Sequence, residues 1–136
     1  MLRYFVAAAI ALACSLSAGP ASAQSSFTET CSNYGFVYSG DAPALQATCL
    51  TIAKKPNATT MIITGIENVK GTLTNLHTTA PSDFQLSCGS IRITADGPYV
   101  TLSAYCAAGN NQFSETSTLL NNINNIDGKL VQGPPR

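Results

Sequence analysis

The sequence predicts an all-β domain built from two copies of one unit, and three observations support this prediction. A shift of 57 residues superimposes the chain on itself without a gap. Short alternations of apolar and polar residues recur in both copies, which is typical of half-buried strands. Each alternation is interrupted by Gly-Asp or Asp-Gly, the chemistry of hairpin turns. Two copies are too few for a solenoid, which needs about three repeats, so they indicate a pseudo-symmetric pair that folds together.

The internal repeat is carried by two cysteines and a closing motif in each copy. The matched positions are Phe27 with Phe84, Cys31 with Cys88, Gly40 with Gly97, Leu45 with Leu102, Ala47 with Ala104, Cys49 with Cys106, Ile66 with Ile123, Asn68 with Asn125, Gly71 with Gly128 and Leu73 with Leu130. Chance does not place both cysteines and an Ile-x-Asn-x-x-Gly-x-Leu ending in one register. We place the copies at about 27–76 and 84–133, joined by a polar hinge at about 74–83.

Two hairpins are expected in each copy. The first hairpins are predicted from residues 36–38 with 45–49 and from residues 90–94 with 99–102, around turns at 39–43 and 96–98. The closing hairpins are predicted from residues 59–63 with 72–76 and from residues 117–120 with 129–132, around Lys70-Gly71 and Asp127-Gly128. For residues 119–126 a short helical turn is the alternative, because Leu120, Ile123 and Asn124 have helical spacing.

The first 23 residues are predicted to be a secretory signal peptide. An early Arg3 precedes an apolar run over residues 5–14, and Ala-Ser-Ala at 21–23 provides the cleavage site. The run is shorter than the about 20 apolar residues that a membrane span needs. We therefore expect export, to the extracellular space or the cell wall, with the domain beginning at Gln24.

Four cysteines remain after this cleavage, and we expect them to form disulfides. They are Cys31, Cys49, Cys88 and Cys106. Three pairings are possible, and the duplication favours Cys31–Cys49 and Cys88–Cys106, because each copy then closes its own loop. Each of these bonds closes a loop of 19 residues, which contributes about 3 kcal/mol in the chain-entropy model. A metal site is disfavoured, since Cys-x-x-Cys is absent and His77 is the only histidine, and we expect no cofactor.

Composition excludes nucleic acid as a partner and offers one modification site. The chain has 7 basic and 7 acidic residues and a net charge of zero, so it lacks the basic surface that a phosphate backbone requires. Asn57-Ala58-Thr59 is an N-glycosylation acceptor and predicts an exposed loop.

The repeated unit resembles the cyanovirin-N homology domain family. It begins Phe-x-x-x-Cys, carries Leu-x-Ala-x-Cys and ends Ile-x-Asn-x-x-Gly-x-Leu, at residues 27–31, 45–49 and 66–73 and again at 84–88, 102–106 and 123–130. The resemblance implies an elongated fold with pseudo-twofold symmetry, in which each half takes strands from both repeats and holds one disulfide. It also implies a lectin for oligosaccharides, high-mannose glycans or glycoproteins, without catalysis or metal. The hinge permits a monomer or a domain-swapped dimer.

The resemblance implies two sugar sites, one near each end of the molecule. The residues carried over to the first site are Ser26, Glu29, Thr30, Asn125 and Asp127, with Leu50 and Ile52 making one wall apolar. The residues carried over to the second site are Glu67, Asn68, Ser82, Asp83 and Ser87. We expect this second site to be weakened, because Leu86 and the stretch Ala107-Ala108-Gly109 replace polar side chains.

Other interpretations of these residues stay open. Asn68 and Asn125 occur in both copies, so they are more readily explained as braces for the turns than as sugar ligands. Glu29 and Asp127 form a possible glycosidase-like carboxylate pair, although no motif supports hydrolysis and the cysteines are unavailable as nucleophiles. A secreted structural or interaction protein that has lost sugar binding is the remaining alternative.

Overall fold

The computed structural model describes residues 24–133 as ten β-strands and two 3-10 helices. The helices are Phe27–Glu29 and Phe84–Leu86, and the strands are β1 (Cys31–Ser39), β2 (Ala42–Leu50), β3 (Pro56–Ile62), β4 (Ile66–Val69), β5 (Thr72–Asn75), β6 (Cys88–Asp96), β7 (Tyr99–Gly109), β8 (Gln112–Leu120), β9 (Ile123–Ile126) and β10 (Lys129–Gln132). In this part of the chain, neither helix has the length or the apolar character to cross a membrane. The predicted signal peptide lies outside the described residues.

The strands form two matching sets, which confirms the all-β prediction. Each repeat contributes a three-stranded antiparallel sheet, β1-β2-β3 or β6-β7-β8, and a separate hairpin, β4-β5 or β9-β10. The symmetry extends to irregularities: a bulge follows Ser32 in β1 and Gly89 in β6. Within these bulges Asn33 and Ser90 both adopt left-handed backbone angles, with φ of 51° and 50°.

The predicted closing hairpins are wrong in their pairing. Strand β3 is the third strand of the first sheet, where Ile62 pairs with Ala44 of β2, and β5 pairs with β4 instead. The reason is the two-residue turn at Lys70-Gly71, whose φ angles are 49° and 89°. Such a turn pairs the residues that flank it directly. The second repeat shows the same arrangement, with β8 on β7 and β10 on β9.

The alternative helical turn over residues 119–126 is also wrong. Leu120 ends β8 and Ile123 begins β9, and both side chains are buried from successive strands. Their helical spacing therefore reflects two strand ends that meet at the core.

Each hairpin packs against the sheet of the other repeat, which confirms the exchange between repeats. The backbone N–H of Leu73 donates to Thr116 Oγ1 of the second sheet at 3.0 Å. In the other half, the Leu130 N–H donates to Thr59 Oγ1 of the first sheet at 3.1 Å. In residues 24–133 the repeats share no strand ladder. Packing, side-chain hydrogen bonds and single backbone hydrogen bonds join them, such as that from the Ser26 N–H to the Ile123 carbonyl at 3.0 Å.

The segment between the repeats is shorter than the predicted hinge of 74–83. Thr74 and Asn75 belong to β5, which leaves residues 76–83 as the connection. Its end is anchored by a bridge from Pro81 to Thr64 and by a hydrogen bond from the Gly65 N–H to the Ala80 carbonyl at 2.8 Å.

A single core joins the two repeats, and both predicted disulfides are present. The largest fully buried side chains include Phe27, Leu45, Ile63 and Ile66 from the first repeat and Phe84, Val100, Leu102, Leu120 and Ile123 from the second. Cys31 is bonded to Cys49, and Cys88 to Cys106, at strand positions that face each other across β1–β2 and β6–β7.

Candidate functional site

The residues predicted for the first site converge where three segments meet: the end of the first 3-10 helix, the loop after β2 and the β9–β10 turn. Asn125 joins them. Its Nδ2 donates to Thr30 Oγ1 at 2.9 Å and to the Leu50 carbonyl at 2.8 Å. Its Oδ1 accepts from the Gly128 N–H at 2.8 Å. Both amide hydrogens of Asn125 are therefore used inside the protein, as expected for a brace.

Asp127 is held at the surface of this junction. It occupies the turn at φ 49°, and its Oδ1 accepts a hydrogen bond from the Ile52 N–H at 2.9 Å. Within residues 24–133 its Oδ2 has no hydrogen-bond partner. The following residue must be glycine: Gly128 has φ 83°, and a Cβ there would lie 2.8 Å from Thr51 Cγ2. The turn and the loop thus fix the carboxylate in place and leave one oxygen facing outward.

Glu29 and Ser26 lie on the adjacent 3-10 turn. The Glu29 N–H donates to the Ser26 carbonyl at 3.1 Å. The Glu29 side chain is exposed, and its carboxylate forms no hydrogen bond or salt bridge with any described residue. Ser26 Oγ donates to Asn124 Oδ1 at 2.6 Å. Of this pair, Glu29 is the residue whose acceptor oxygens face solvent unpaired.

Apolar side chains border these acceptors. Ile52 is 83% exposed, Ile126 59% and Leu50 39%. Sequence analysis identified Leu50 and Ile52 but missed Ile126, although its position between Asn125 and Asp127 could have indicated it. Carboxylates beside exposed aliphatic side chains match a ligand with hydroxyl groups on one side and C–H groups on the other.

The second site repeats the Asn125 brace but has no carboxylate at the positions that match Asp127 and Glu29. Asn68 Nδ2 donates to Ser87 Oγ at 2.9 Å and to the Ala107 carbonyl at 3.0 Å, and its Oδ1 accepts from the Gly71 N–H. In the 57-residue register, Lys70 stands where the first site has Asp127. Leu86, 80% exposed, stands where it has Glu29.

Three further second-site residues, Ser82, Glu67 and Asp83, differ in their exposure. Ser82 is only 7% exposed and its Oγ accepts from the Ile66 N–H at 3.0 Å. This hydroxyl is thus engaged inside the protein, and its role as a sugar ligand stays a prediction. Its counterpart Ser25 does the same for Ile123. Burial follows from the packing of these serines under β4 and β9. Glu67 is half-buried and Asp83 is exposed, so both remain candidates.

Asn57 does not lie in the exposed loop that its acceptor triplet predicted. It belongs to strand β3, is half-buried, and its Nδ2 donates to the Gly128 carbonyl at 2.8 Å. Asn57 therefore supports the back of the β9–β10 turn, and its glycosylation stays a prediction.

The described part of the chain brings no three His, Cys, Asp or Glu side chains together in a group that could hold a metal ion.

Comparison with known proteins gives the family. The CVNH domain model matches residues 12–131. The structure of T. borchii CVNH has a TM-score of 0.61 and 22% identity, covering 79% of this chain and 99% of that one. Microvirin in complex with mannobiose has a TM-score of 0.58 and 28% identity, covering 79% and 97%. A MoCVNH3 variant in complex with (N-GlcNAc)4 has a TM-score of 0.57 and 14% identity, covering 80% and 97%.

No curated protein sequence matches the chain. The family match nevertheless spans most of its length, and the described residues have the same architecture as the solved CVNH structures. This chain therefore belongs to the CVNH family.

Proposed function

We propose that this protein is a secreted lectin that binds mannose-type glycans through the first site, without catalysis. The observation that carries the proposal is the exposed carboxylate of Asp127, which the Ile52 N–H fixes next to exposed apolar side chains. The unpaired carboxylate of Glu29 belongs to the adjoining turn, whose Thr30 is bonded to Asn125. The proposal places one dominant site in each molecule.

The chemistry of this site suits a neutral sugar. Vicinal hydroxyls donate as well as accept, and a carboxylate oxygen accepts from them in a charge-assisted hydrogen bond. The Ile52 N–H holds Asp127 in place before a ligand arrives, which lowers the cost of ordering on binding. The exposed side chains of Ile52 and Ile126 would pack against the C–H face of the sugar ring.

Relatives support sugar as the ligand class and leave its identity to experiment. The microvirin structure contains mannobiose, and the structure of the MoCVNH3 variant contains (N-GlcNAc)4. A glycan array of the oxidised protein, including high-mannose and chitin oligosaccharides, tests the mannose preference. Failure of every glycan on the array would overturn the proposal.

Titration of Asp127→Asn and Glu29→Gln tests the site itself. Loss of a hydrogen bond to a charged group costs about 1.5–3 kcal/mol, so we expect affinity to fall about 10- to 100-fold. Asp41→Asn, at an exposed carboxylate in the β1–β2 turn outside both predicted sites, is the matched control, and its affinity should equal that of the wild type. Wild-type titration curves for both first-site variants would contradict the site assignment.

The non-catalytic part of the proposal has its own test. Incubation of the protein with mannan should produce no new reducing ends, and appearance of hydrolysis products that Glu29→Gln abolishes would show a glycosidase. For secretion, N-terminal sequencing of exported protein should begin at Gln24.

One observation favours the alternative of an interaction protein without sugar binding. Two large apolar side chains are exposed: Ile52 at the first predicted site is 83% exposed, and Leu86 at the second is 80% exposed. This alternative predicts that the wild type binds no glycan on the array but contacts a protein partner, and that Ile52→Ser abolishes that contact. These results together would replace the lectin proposal.

A further inference from the structure

A cleft of about 240 Å³ lies away from both predicted sugar sites. It is found where the open ends of the hairpins β4–β5 and β9–β10 meet the connection between the repeats. The first and second sites occupy the turn ends of the same hairpins. Since a four-residue strand spans about 10 Å, the cleft is one hairpin length from each of them.

Both repeats contribute polar side chains to this cleft. Asn75, at the end of β5, and Gln132, at the end of β10, are counterparts in the 57-residue register. Thr64 and Asn121 form a second pair of counterparts. The lining therefore presents amides and a hydroxyl from both sides of the pseudo-twofold axis.

These groups are held in place before any ligand binds. Asn121 Nδ2 donates to His77 Nδ1 at 2.8 Å. The His77 N–H donates to Asn75 Oδ1 at 2.9 Å, and Asn75 Nδ2 donates to the Leu119 carbonyl at 3.0 Å. This chain of hydrogen bonds fixes His77 in a left-handed conformation, with φ 53°.

The character of the lining selects the ligand class. No Asp, Glu, Lys or Arg lines the cleft, and its one ionisable side chain, His77, uses Nδ1 to accept the hydrogen bond from Asn121. The lining therefore favours a neutral ligand over an ion. Amides and hydroxyls both donate and accept, as the hydroxyls of a polyol do. Ile62, 41% exposed, adds a small apolar surface. The volume lies below the roughly 300–1,000 Å³ of sites for drug-sized ligands, which favours one sugar ring over an oligosaccharide.

We propose that this cleft is a third binding site, which takes a neutral polyhydroxyl ligand of monosaccharide size between the two repeats. The inference does not depend on the proposed function, because the cleft uses no residue of the first site. A molecule with both sites would hold a glycan at its end and a single sugar at its centre.

The experiment is an amide NMR titration of the oxidised protein with methyl α-mannopyranoside and, separately, with N-acetylglucosamine. At least one of these sugars should shift the amide signals of His77, Asn122 and Gly133. Shifts at Ile52 and Gly128 report the first site in the same spectra, so the two proposals succeed or fail separately.

Variants distinguish the cleft from general effects. Asn121→Leu and Gln132→Leu each remove hydrogen-bonding groups from the lining. Binding at the cleft should weaken about fivefold in each variant, which corresponds to the loss of one neutral hydrogen bond. Asp127→Asn should leave the cleft shifts unchanged. Unchanged signals at the cleft with both sugars, or shifts that persist equally in both leucine variants, would overturn the inference.

Discussion

Asn125 should contribute more to stability than any single surface polar residue of the first site. Replacing it with alanine removes three hydrogen bonds, to Thr30 Oγ1, the Leu50 carbonyl and the Gly128 N–H. At about 0.5–1.5 kcal/mol for each bond, the free energy of unfolding should fall by about 1.5–4.5 kcal/mol. That is a large fraction of the about 5–15 kcal/mol that stabilises an ordinary domain.

Urea unfolding with the disulfides intact measures this loss. The transition midpoint should fall while the m value stays constant, since the surface exposed on unfolding is the same. Asn68→Ala removes the corresponding bonds at the other end and is expected to cost the same. Asn125→Asp keeps an acceptor for Gly128 but loses both donors, so it should recover only part of the loss.

Sugar binding separates the two alanine variants. Asn125→Ala should weaken binding at the first site, because Thr30 and the Asp127 turn lose their common anchor, whereas Asn68→Ala should not. If both variants unfold within about 0.5 kcal/mol of the wild type, the range of an ordinary surface substitution, the bracing role is refuted.

Three further predictions follow from burial, covalent linkage and backbone geometry. Phe27→Ala removes a fully buried ring and should lower the free energy of unfolding by about 3–5 kcal/mol in urea; a loss below 1 kcal/mol would contradict its place in the core. Replacing Cys31 and Cys49 together with alanine should cost about 3 kcal/mol by the same measurement, through loss of loop closure. Gly128→Ala places a Cβ against Thr51 at φ 83° and should cost about 1–3 kcal/mol, while Gly40→Ala, with open space around its φ of 62°, provides the control for left-handed strain alone.

The predictions that the structure confirmed depended on local sequence patterns or on the internal repeat. Alternation of period two located strands such as Ile91–Ile93, and Gly-Asp and Asp-Gly located the first hairpin turn of each repeat. The duplication predicted the Cys31–Cys49 and Cys88–Cys106 disulfides, because matched cysteines close matched loops. The same repetition suggested that Asn68 and Asn125 brace turns, and their hydrogen bonds agree with that interpretation.

The pairing of distant segments was decided only in the folded chain. A strand pattern reports which residues alternate, but it carries no information on the partner strand, and so β3 and β8 were paired wrongly. The sequence also gives no information on which polar side chains are buried by distant segments. The Ser82 hydroxyl is buried by the packing of β4, and the Asn57 amide supports a turn 71 residues away.

The sequence by itself therefore determined the repeated β unit, its turns and its two disulfides, since each depends on nearby residues or on the duplication. Tertiary structure decided how the repeats complete each other and which polar groups remain exposed. Asn125 and Asp127 reach Leu50 and Ile52 across 75 residues of chain, and the central cleft exists only where both hairpins end together. Those contacts arise because burying the apolar faces of both repeats brings distant loops to one place, and no local pattern encodes that.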